Sequence, residues 1–87
     1  MKVAVWDTYV EKKNGNTMHF DIIVPDHIKD ETVVQNMGKK YLALKDEAGQ
    51  SLTAKQCQFC HIETASPEML DGIAEKGYYI IEMEGCN

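Results

Sequence analysis

Two stretches near the amino terminus alternate between apolar and polar residues and predict β-strands. Residues 2–10 and 17–24 are rich in β-branched and aromatic residues at a period of two. The sequence KKNGN lies between them, and its Asn14-Gly15 pair suits the positive φ angles of a tight two-residue hairpin turn. Gly15-Asn16 is the other turn centre that the sequence allows. Either turn predicts an antiparallel hairpin.

A two-residue turn also divides the hairpin residues between two faces, because it pairs odd positions of the first strand with even positions of the second. The predicted core face consists of Val3, Val5, Asp7, Tyr9, Met18, Phe20, Ile22 and Val24. The opposite face consists of Ala4, Trp6, Thr8, Val10, His19, Asp21 and Ile23. Asp7 is out of place on an apolar face, so it is a candidate functional carboxylate, with an edge position or a backbone cap as the ordinary alternative.

Two helices are predicted from capping residues and apolar spacing. Asp30 is placed to cap a helix from Glu31 to about Leu44. Ser66-Pro67-Glu68 supplies a cap, a first-turn proline and an acidic first turn for a second helix, which should end at Gly77. The predicted buried stripes are Val33, Val34, Met37, Tyr41 and Leu44 in the first helix, and Leu70, Ile73 and Ala74 in the second. Residues 46–56 have no apolar period and are interpreted as a loop.

Two further strands are predicted at residues 57–63 and 78–84. The order is then strand, strand, helix, strand, helix, strand, in a single domain spanning residues 1–87. Two of the connections contain helices, and such crossovers are nearly always right-handed. We therefore expect an α+β fold, a two-layer sandwich with both helices on one face of a four-stranded mixed sheet.

Composition argues against two kinds of partner. The chain has nine basic residues, all of them Lys, against fourteen acidic residues, and its net charge is −5, so the basic patch and the Arg fork of a nucleic-acid binder are missing. No apolar stretch approaches the length that spans a bilayer, and the run from Val3 to Trp6 is too short for a signal peptide. We therefore expect a cytoplasmic protein whose three cysteines are reduced.

The segment CQFCH, from Cys57 to His61, is the candidate with the most chemistry. Its spacing matches a c-type haem attachment site, but the expected cytosolic location and the strand-like surroundings make haem unlikely. Zinc is the better cofactor, because Cys57 and Cys60 have the spacing of a zinc knuckle. The remaining ligands would come from Cys86, His61 and His19.

Other interpretations of this segment stay open. A redox dithiol is one, although CxxC thiols are usually activated at a helix amino terminus, and the next helix begins only after Ser66. In a regular strand Cys57 and Cys60 point to opposite faces, as do Cys60 and His61, which opposes chelation. An inert buried thiol is the ordinary alternative for either cysteine. For His19 the ordinary alternative is a solvated or singly bonded imidazole.

Five segments of the chain carry a resemblance to a known family. They are WDTYV at 6–10, MHFD at 18–21, KYL at 40–42, QFCH at 58–61 and GYYIIEMEGC at 77–86. In this order and spacing they resemble an uncharacterised bacterial family, the domain-of-unknown-function family two-thousand-and-twenty-four, from Val3 to Asn87. The resemblance implies a small α+β fold and a bacterial cytosolic source. It also implies that the family's signature segments contain Asp7, His19, Cys57, Cys60, His61 and Cys86.

The leading functional prediction is a small binding or regulatory module. The sequence has no Gly-rich phosphate loop, nucleophile elbow or HExxH helix, so it gives no basis for assigning an enzymatic activity. The alternative is a zinc-binding or thiol-redox protein that uses CQFCH. A homodimer through the Trp6 face is a further expectation. Convergence of Asp7, His19 and the thiols in one polar cleft would instead favour catalysis.

Overall fold

The computed structural model describes residues 1–86, and Asn87, the last residue of the predicted domain, lies outside that range. The strands are Lys2–Glu11 (β1), Thr17–Pro25 (β2), Cys57–Thr64 (β3) and Tyr79–Glu84 (β4), and the helices are Glu31–Leu44 (α1) and Pro67–Lys76 (α2). The predicted α+β class and element order are confirmed. Neither helix within residues 1–86 combines the length and apolar character that crossing a membrane requires.

The hairpin between β1 and β2 closes through a longer turn than predicted. The Gly15 N–H donates to the Lys12 carbonyl at 2.9 Å, and the Lys12 N–H donates to the Asn16 carbonyl at 2.7 Å. Gly15 has a φ of 89° and ends the turn. This is the pattern of a three-residue hairpin loop, in which a left-handed glycine follows the turn. The predicted two-residue turn is therefore wrong by one residue.

The longer turn changes which residues share a face. Odd positions of β1 now lie opposite odd positions of β2, so that Asp7 pairs with Asp21 and Tyr9 with His19. The predicted faces are wrong for β1 relative to β2, because a one-residue slip moves every side chain of a strand to the other face. One face of the hairpin carries Ala4, Trp6, Thr8, Val10, Met18, Phe20, Ile22 and Val24. The other carries Val3, Val5, Asp7, Tyr9, His19, Asp21 and Ile23.

The four strands lie in the order β3-β1-β2-β4, and every neighbouring pair is antiparallel. The prediction of a mixed sheet is corrected in this respect. β2 and β3 do run in the same direction, but β1 lies between them, so no parallel pair forms. The structure thus has an open antiparallel sheet, with β3 and β4 at its edges.

The two helices lie on opposite faces of this sheet, which corrects the predicted two-layer arrangement. Val34 and Leu42 of α1 pack into a core with Phe20 of β2. Met69 of α2 packs into a second core with Val3 and other residues of the opposite face. The handedness rule constrains only connections between parallel strands. Because β3 and β4 are antiparallel, the handedness rule does not determine which face of the sheet α2 covers.

Both helices begin at the predicted caps. The Asp30 carboxylate accepts a hydrogen bond from the Thr32 N–H at 2.9 Å. The Ser66 hydroxyl accepts one from the Met69 N–H at 3.3 Å, and α2 ends at Gly77, which has a φ of 88°. Each cap satisfies an N–H group that the first helical turn leaves without a partner.

The buried sides of the helices are rotated from the predicted stripes and include glycines. A Cβ on Gly38 would lie 2.6 Å from Leu52 Cδ1, and one on Gly72 would lie 2.5 Å from Tyr79 Cδ1. Each helix backbone therefore approaches its neighbours more closely than a larger residue would permit. The members of the predicted stripes that are exposed instead are Val33, Leu44, Leu70 and Ala74.

Candidate functional site

α2 covers only one end of its face of the sheet. Val3, Val5 and Ile23 are buried in the core that contains Met69 of α2. Farther along β1 the same face is open, and Tyr9 is half-exposed. The open end, which we call the polar cluster, consists of Asp7, Tyr9, His19, Asp21 and His61.

Two carboxylates lie directly opposite each other at the centre of the sheet. Asp7 of β1 pairs with Asp21 of β2 in the register of the hairpin. Like charges in such a cross-strand pair destabilise a sheet. Burial raises the pKa of the Asp21 carboxyl above its usual range, and the Asp7 carboxylate raises this pKa further. The arrangement therefore favours a proton or a cation near the two carboxylates.

The His19 imidazole lies beside both carboxylates. Its Nε2 is 2.6 Å from Asp7 Oδ1 and 4.0 Å from Asp21 Oδ1. Tyr9 stacks on the His19 ring, with the ring centroids 4.0 Å apart and an interplanar angle of 11°. The stacking orients the ring, and the Cys86 thiol donates a hydrogen bond to the His19 carbonyl at 3.4 Å. His19 is thus held in place from both its side chain and its backbone.

Three potential metal ligands converge in this cluster. The ligand atoms of Asp7, His19 and Asp21 all lie within 4.8 Å of one another. Within residues 1–86, no other group of at least three His, Cys, Asp or Glu side chains meets this condition. Two carboxylate oxygens and one imidazole nitrogen form a mixed donor set that suits divalent first-row metals.

A β-bulge lies within the CQFCH segment and changes the directions of its side chains. Trp6 pairs with Phe59 and Val5 with His61, so Cys60 is the extra residue on β3. Cys60 Sγ lies 3.2 Å from His61 Nδ1. The expectation that these adjacent side chains diverge is therefore wrong, because the regular alternation of a strand fails at a bulge.

The predicted metal ligands do not form one group. Cys57 is buried in the core beneath α1, Cys60 is exposed, Cys86 is buried, and none forms a disulfide. Burial raises the pKa of the Cys57 thiol. Within the described chain, no three of the candidates Cys57, Cys60, Cys86, His19 and His61 bring their ligand atoms within 4.8 Å of one another. A zinc site on CQFCH stays a prediction.

Asp21 is the functional candidate that sequence reasoning missed. The two-residue turn placed it on the face opposite Asp7 and gave it no partner. The signal was nevertheless present, because a three-residue turn ending at Gly15 pairs Asp7 with Asp21 and brings His19 to the same face. Asp7 and His19, which were both predicted candidates, meet for the same reason.

The chain is thus an α+β domain with an open antiparallel sheet and one helix on each face. Its candidate site is a histidine beside two opposed aspartates. The chain belongs to the family described as "Domain of unknown function (DUF2024)", whose model matches residues 1–83. The resemblance carried by the five sequence segments is thereby confirmed.

A solved relative has the same fold. Protein NE1680 from Nitrosomonas europaea, determined by NMR, is 39% identical to this chain, with a TM-score of 0.86 and coverage of 100% of both chains. No curated protein matches the sequence. The likeness therefore supports the fold and the family, and the function has to be inferred from the polar cluster itself.

Proposed function

We propose that this protein is a small binding module whose ligand is a divalent metal ion, held by Asp7, His19 and Asp21. One observation carries the proposal: two opposed carboxylates and an imidazole nitrogen have their ligand atoms within 4.8 Å of one another. A cation bound there offsets the repulsion of a like-charged pair on the two central strands. The metal therefore relieves an unfavourable contact as well as gaining ligands.

The donor set indicates which metals bind. Carboxylate oxygen and imidazole nitrogen together suit Zn²⁺, Mn²⁺ and Fe²⁺, whereas Mg²⁺ prefers oxygen ligands and retains its waters. His19 and Asp21 are two positions apart on β2, so they share a face, and Asp7 lies opposite on β1. Ligands on paired central strands need little reorganisation before the ion binds.

A proton competes with the metal for this site. In the metal-free protein, the short contact between His19 Nε2 and Asp7 Oδ1 is strongest when the imidazole carries its second proton. A metal ion bound to Nε2 must displace that proton. The metal ion and a proton on Nε2 therefore exclude each other.

Calorimetric titration of chelator-treated protein with Zn²⁺, Mn²⁺ and Mg²⁺ tests the proposal. We expect one Zn²⁺ or Mn²⁺ per chain and weaker binding of Mg²⁺. Asp21→Asn and His19→Ala should each weaken Zn²⁺ binding by about tenfold or more, since even residues that only support a ligand contribute that much. His27→Ala is the matched control, because His27 is exposed and lies outside the polar cluster. Unchanged Zn²⁺ affinity in both site variants would overturn the proposal.

A further inference from the structure

A hollow opens on the opposite face of the sheet, on the α1 side next to the edge strand β3. Its volume is about 380 Å³, which lies within the range of small-molecule sites. The lining residues are Ala4, Trp6, Asp26, Ile28, Lys29, Phe59 and Ile62. Most of the wall is apolar, and one acid and one base contribute the charged groups.

The rim of the hollow is unusually apolar for an exposed surface. Phe59 and Ile62 of β3 are 51% and 48% exposed. They pair with Trp6 and Ala4, so all four side chains lie on the same face of the sheet. Large apolar groups clustered on the surface of a chain with a net charge of −5 indicate a contact surface for a ligand.

Trp6 contributes indole ring surface to the hollow. The side chain forms part of the wall and is only 5% exposed. The homodimer predicted through the Trp6 face stays a prediction. The Trp6 Nε1 is buried and has no hydrogen-bond partner among residues 1–86. Buried indole N–H groups normally have an acceptor. The Nε1 atom has almost no accessible surface, so a ligand in the hollow contacts the indole ring and not its N–H.

The two charged residues of the hollow are both available. Asp26 and Lys29 are exposed, and neither side chain takes part in an ion pair within 4.0 Å in the described part of the chain. An anionic group would be attracted to Lys29 and repelled by Asp26, and a cationic group would experience the reverse. A ligand with both charges matches this pair better than one with either charge alone.

We infer that this hollow binds a small apolar zwitterion, of the class to which α-amino acids with apolar side chains belong. The apolar part packs against Ile28, Phe59 and Ile62. The carboxylate pairs with Lys29, and the ammonium group pairs with Asp26. The hollow and the polar cluster lie on opposite faces of the sheet, so this inference does not depend on the metal proposal.

Fluorescence of Trp6, the single tryptophan of the chain, reports binding directly. The probe is L-leucine, which does not absorb in the tryptophan range, and we expect a saturable change in emission. N-acetyl-L-leucine lacks the cation, L-leucinamide lacks the anion, and glycine lacks the apolar part. The two single-charge probes should each bind about fivefold more weakly, the upper range for a partly exposed ion pair. Glycine should bind about tenfold more weakly or worse, because it has no side chain to bury.

Variants assign the contacts. Lys29→Met and Asp26→Asn should each weaken L-leucine binding by about fivefold, as for a partly exposed ion pair. The matched controls are Lys40→Met and Asp71→Asn, which alter exposed charges on the helices and should bind as the parent does. No saturable change with L-leucine at millimolar concentration overturns the inference. Equal binding of either single-charge probe, or parental binding by both hollow variants, does so as well.

Discussion

His19 Nε2 lies 2.6 Å from Asp7 Oδ1, and the two residues belong to adjacent central strands. The contact is diagonal, because Asp7 pairs with Asp21 and His19 pairs with Tyr9. The hairpin alone therefore brings the three potential ligands together, and neither helix supplies one. Any change in the hairpin register would separate the three potential ligands.

Replacing Asp21 by Asn should stabilise the metal-free protein at neutral pH. The folded protein raises the pKa of Asp21 above the ordinary value of 3.8, mainly through burial, so the fold favours the protonated carboxyl. Ionisation of the Asp21 carboxyl therefore lowers the free energy of unfolding as pH rises from near 3.8 through the higher pKa of the folded state. Asn keeps the shape and removes the like charge, for a gain of about 0.2–1 kcal/mol.

Urea unfolding of this variant at several pH values measures the effect. The midpoint should exceed that of the parent at pH 7, and the two should converge below pH 4. Asp71→Asn, on the exposed side of α2, is the control and should leave the midpoint unchanged. A lower midpoint for Asp21→Asn at pH 7 would mean that the pairing of Asp21 with His19 outweighs its repulsion from Asp7.

Metal binding should stabilise the folded chain. At a free Zn²⁺ concentration of about 100 times the Kd, the free energy of unfolding should rise by about 2.7 kcal/mol. Thermal unfolding with and without Zn²⁺ measures the gain, and a chelator should reverse it. His19→Ala should lose most of the gain, whereas His27→Ala should retain it. An equal gain in both variants would locate the ion elsewhere.

Cys60 should react with a disulfide reagent much faster than the other two thiols. It is exposed at the bulge, whereas Cys57 and Cys86 are buried. The raised pKa of Cys57 also lowers its thiolate fraction. Thiol counting should therefore give one fast group in the folded protein and three after unfolding.

Cys60→Ser should remove the fast reaction, and Cys57→Ser should leave it unchanged. Added Zn²⁺ should not protect Cys60, because the expected ligands are on β1 and β2. Protection of both Cys57 and Cys60 by Zn²⁺ would instead support the predicted zinc site on CQFCH.

Gly38→Ala should destabilise the fold. The added Cβ would lie 2.6 Å from Leu52 Cδ1 and 2.9 Å from Ile22 Cδ1, so the core must shift to admit it. Overpacking of this kind costs about 1–3 kcal/mol, which exceeds the benefit of alanine over glycine in a helix. Denaturant unfolding measures the loss. Asn36→Ala, at an exposed position of α1, is the control and should be neutral or slightly stabilising.

Features that depend on a few neighbouring residues could be predicted from the sequence. The caps at Asp30 and Ser66 and the stop at Gly77 act within one helical turn, so residue type and spacing determine them. The alternating strands and their order are local in the same sense. These features suffice for the fold class but not for the site.

The site depends on relationships that are not local. Whether Gly15 centres the turn or ends it decides the register, and that single choice separates or unites Asp7 and His19. The bulge at Cys60 depends on how β3 pairs with β1, fifty or more positions away in the chain, and no residue of CQFCH signals it. The side occupied by α2 is likewise not set by local sequence, and no handedness rule applies to its connection between antiparallel strands.

The bulge at Cys60 also affects how the chain behaves in concentrated solution. β3 is an edge strand with half-exposed Phe59 and Ile62, and a flat apolar edge of this kind recruits strands from other molecules into aggregates. An extra residue in the middle of the strand interrupts the ladder that such an intruder would follow. The irregularity that brings a thiol beside an imidazole thus also makes this edge a poorer template for an added strand.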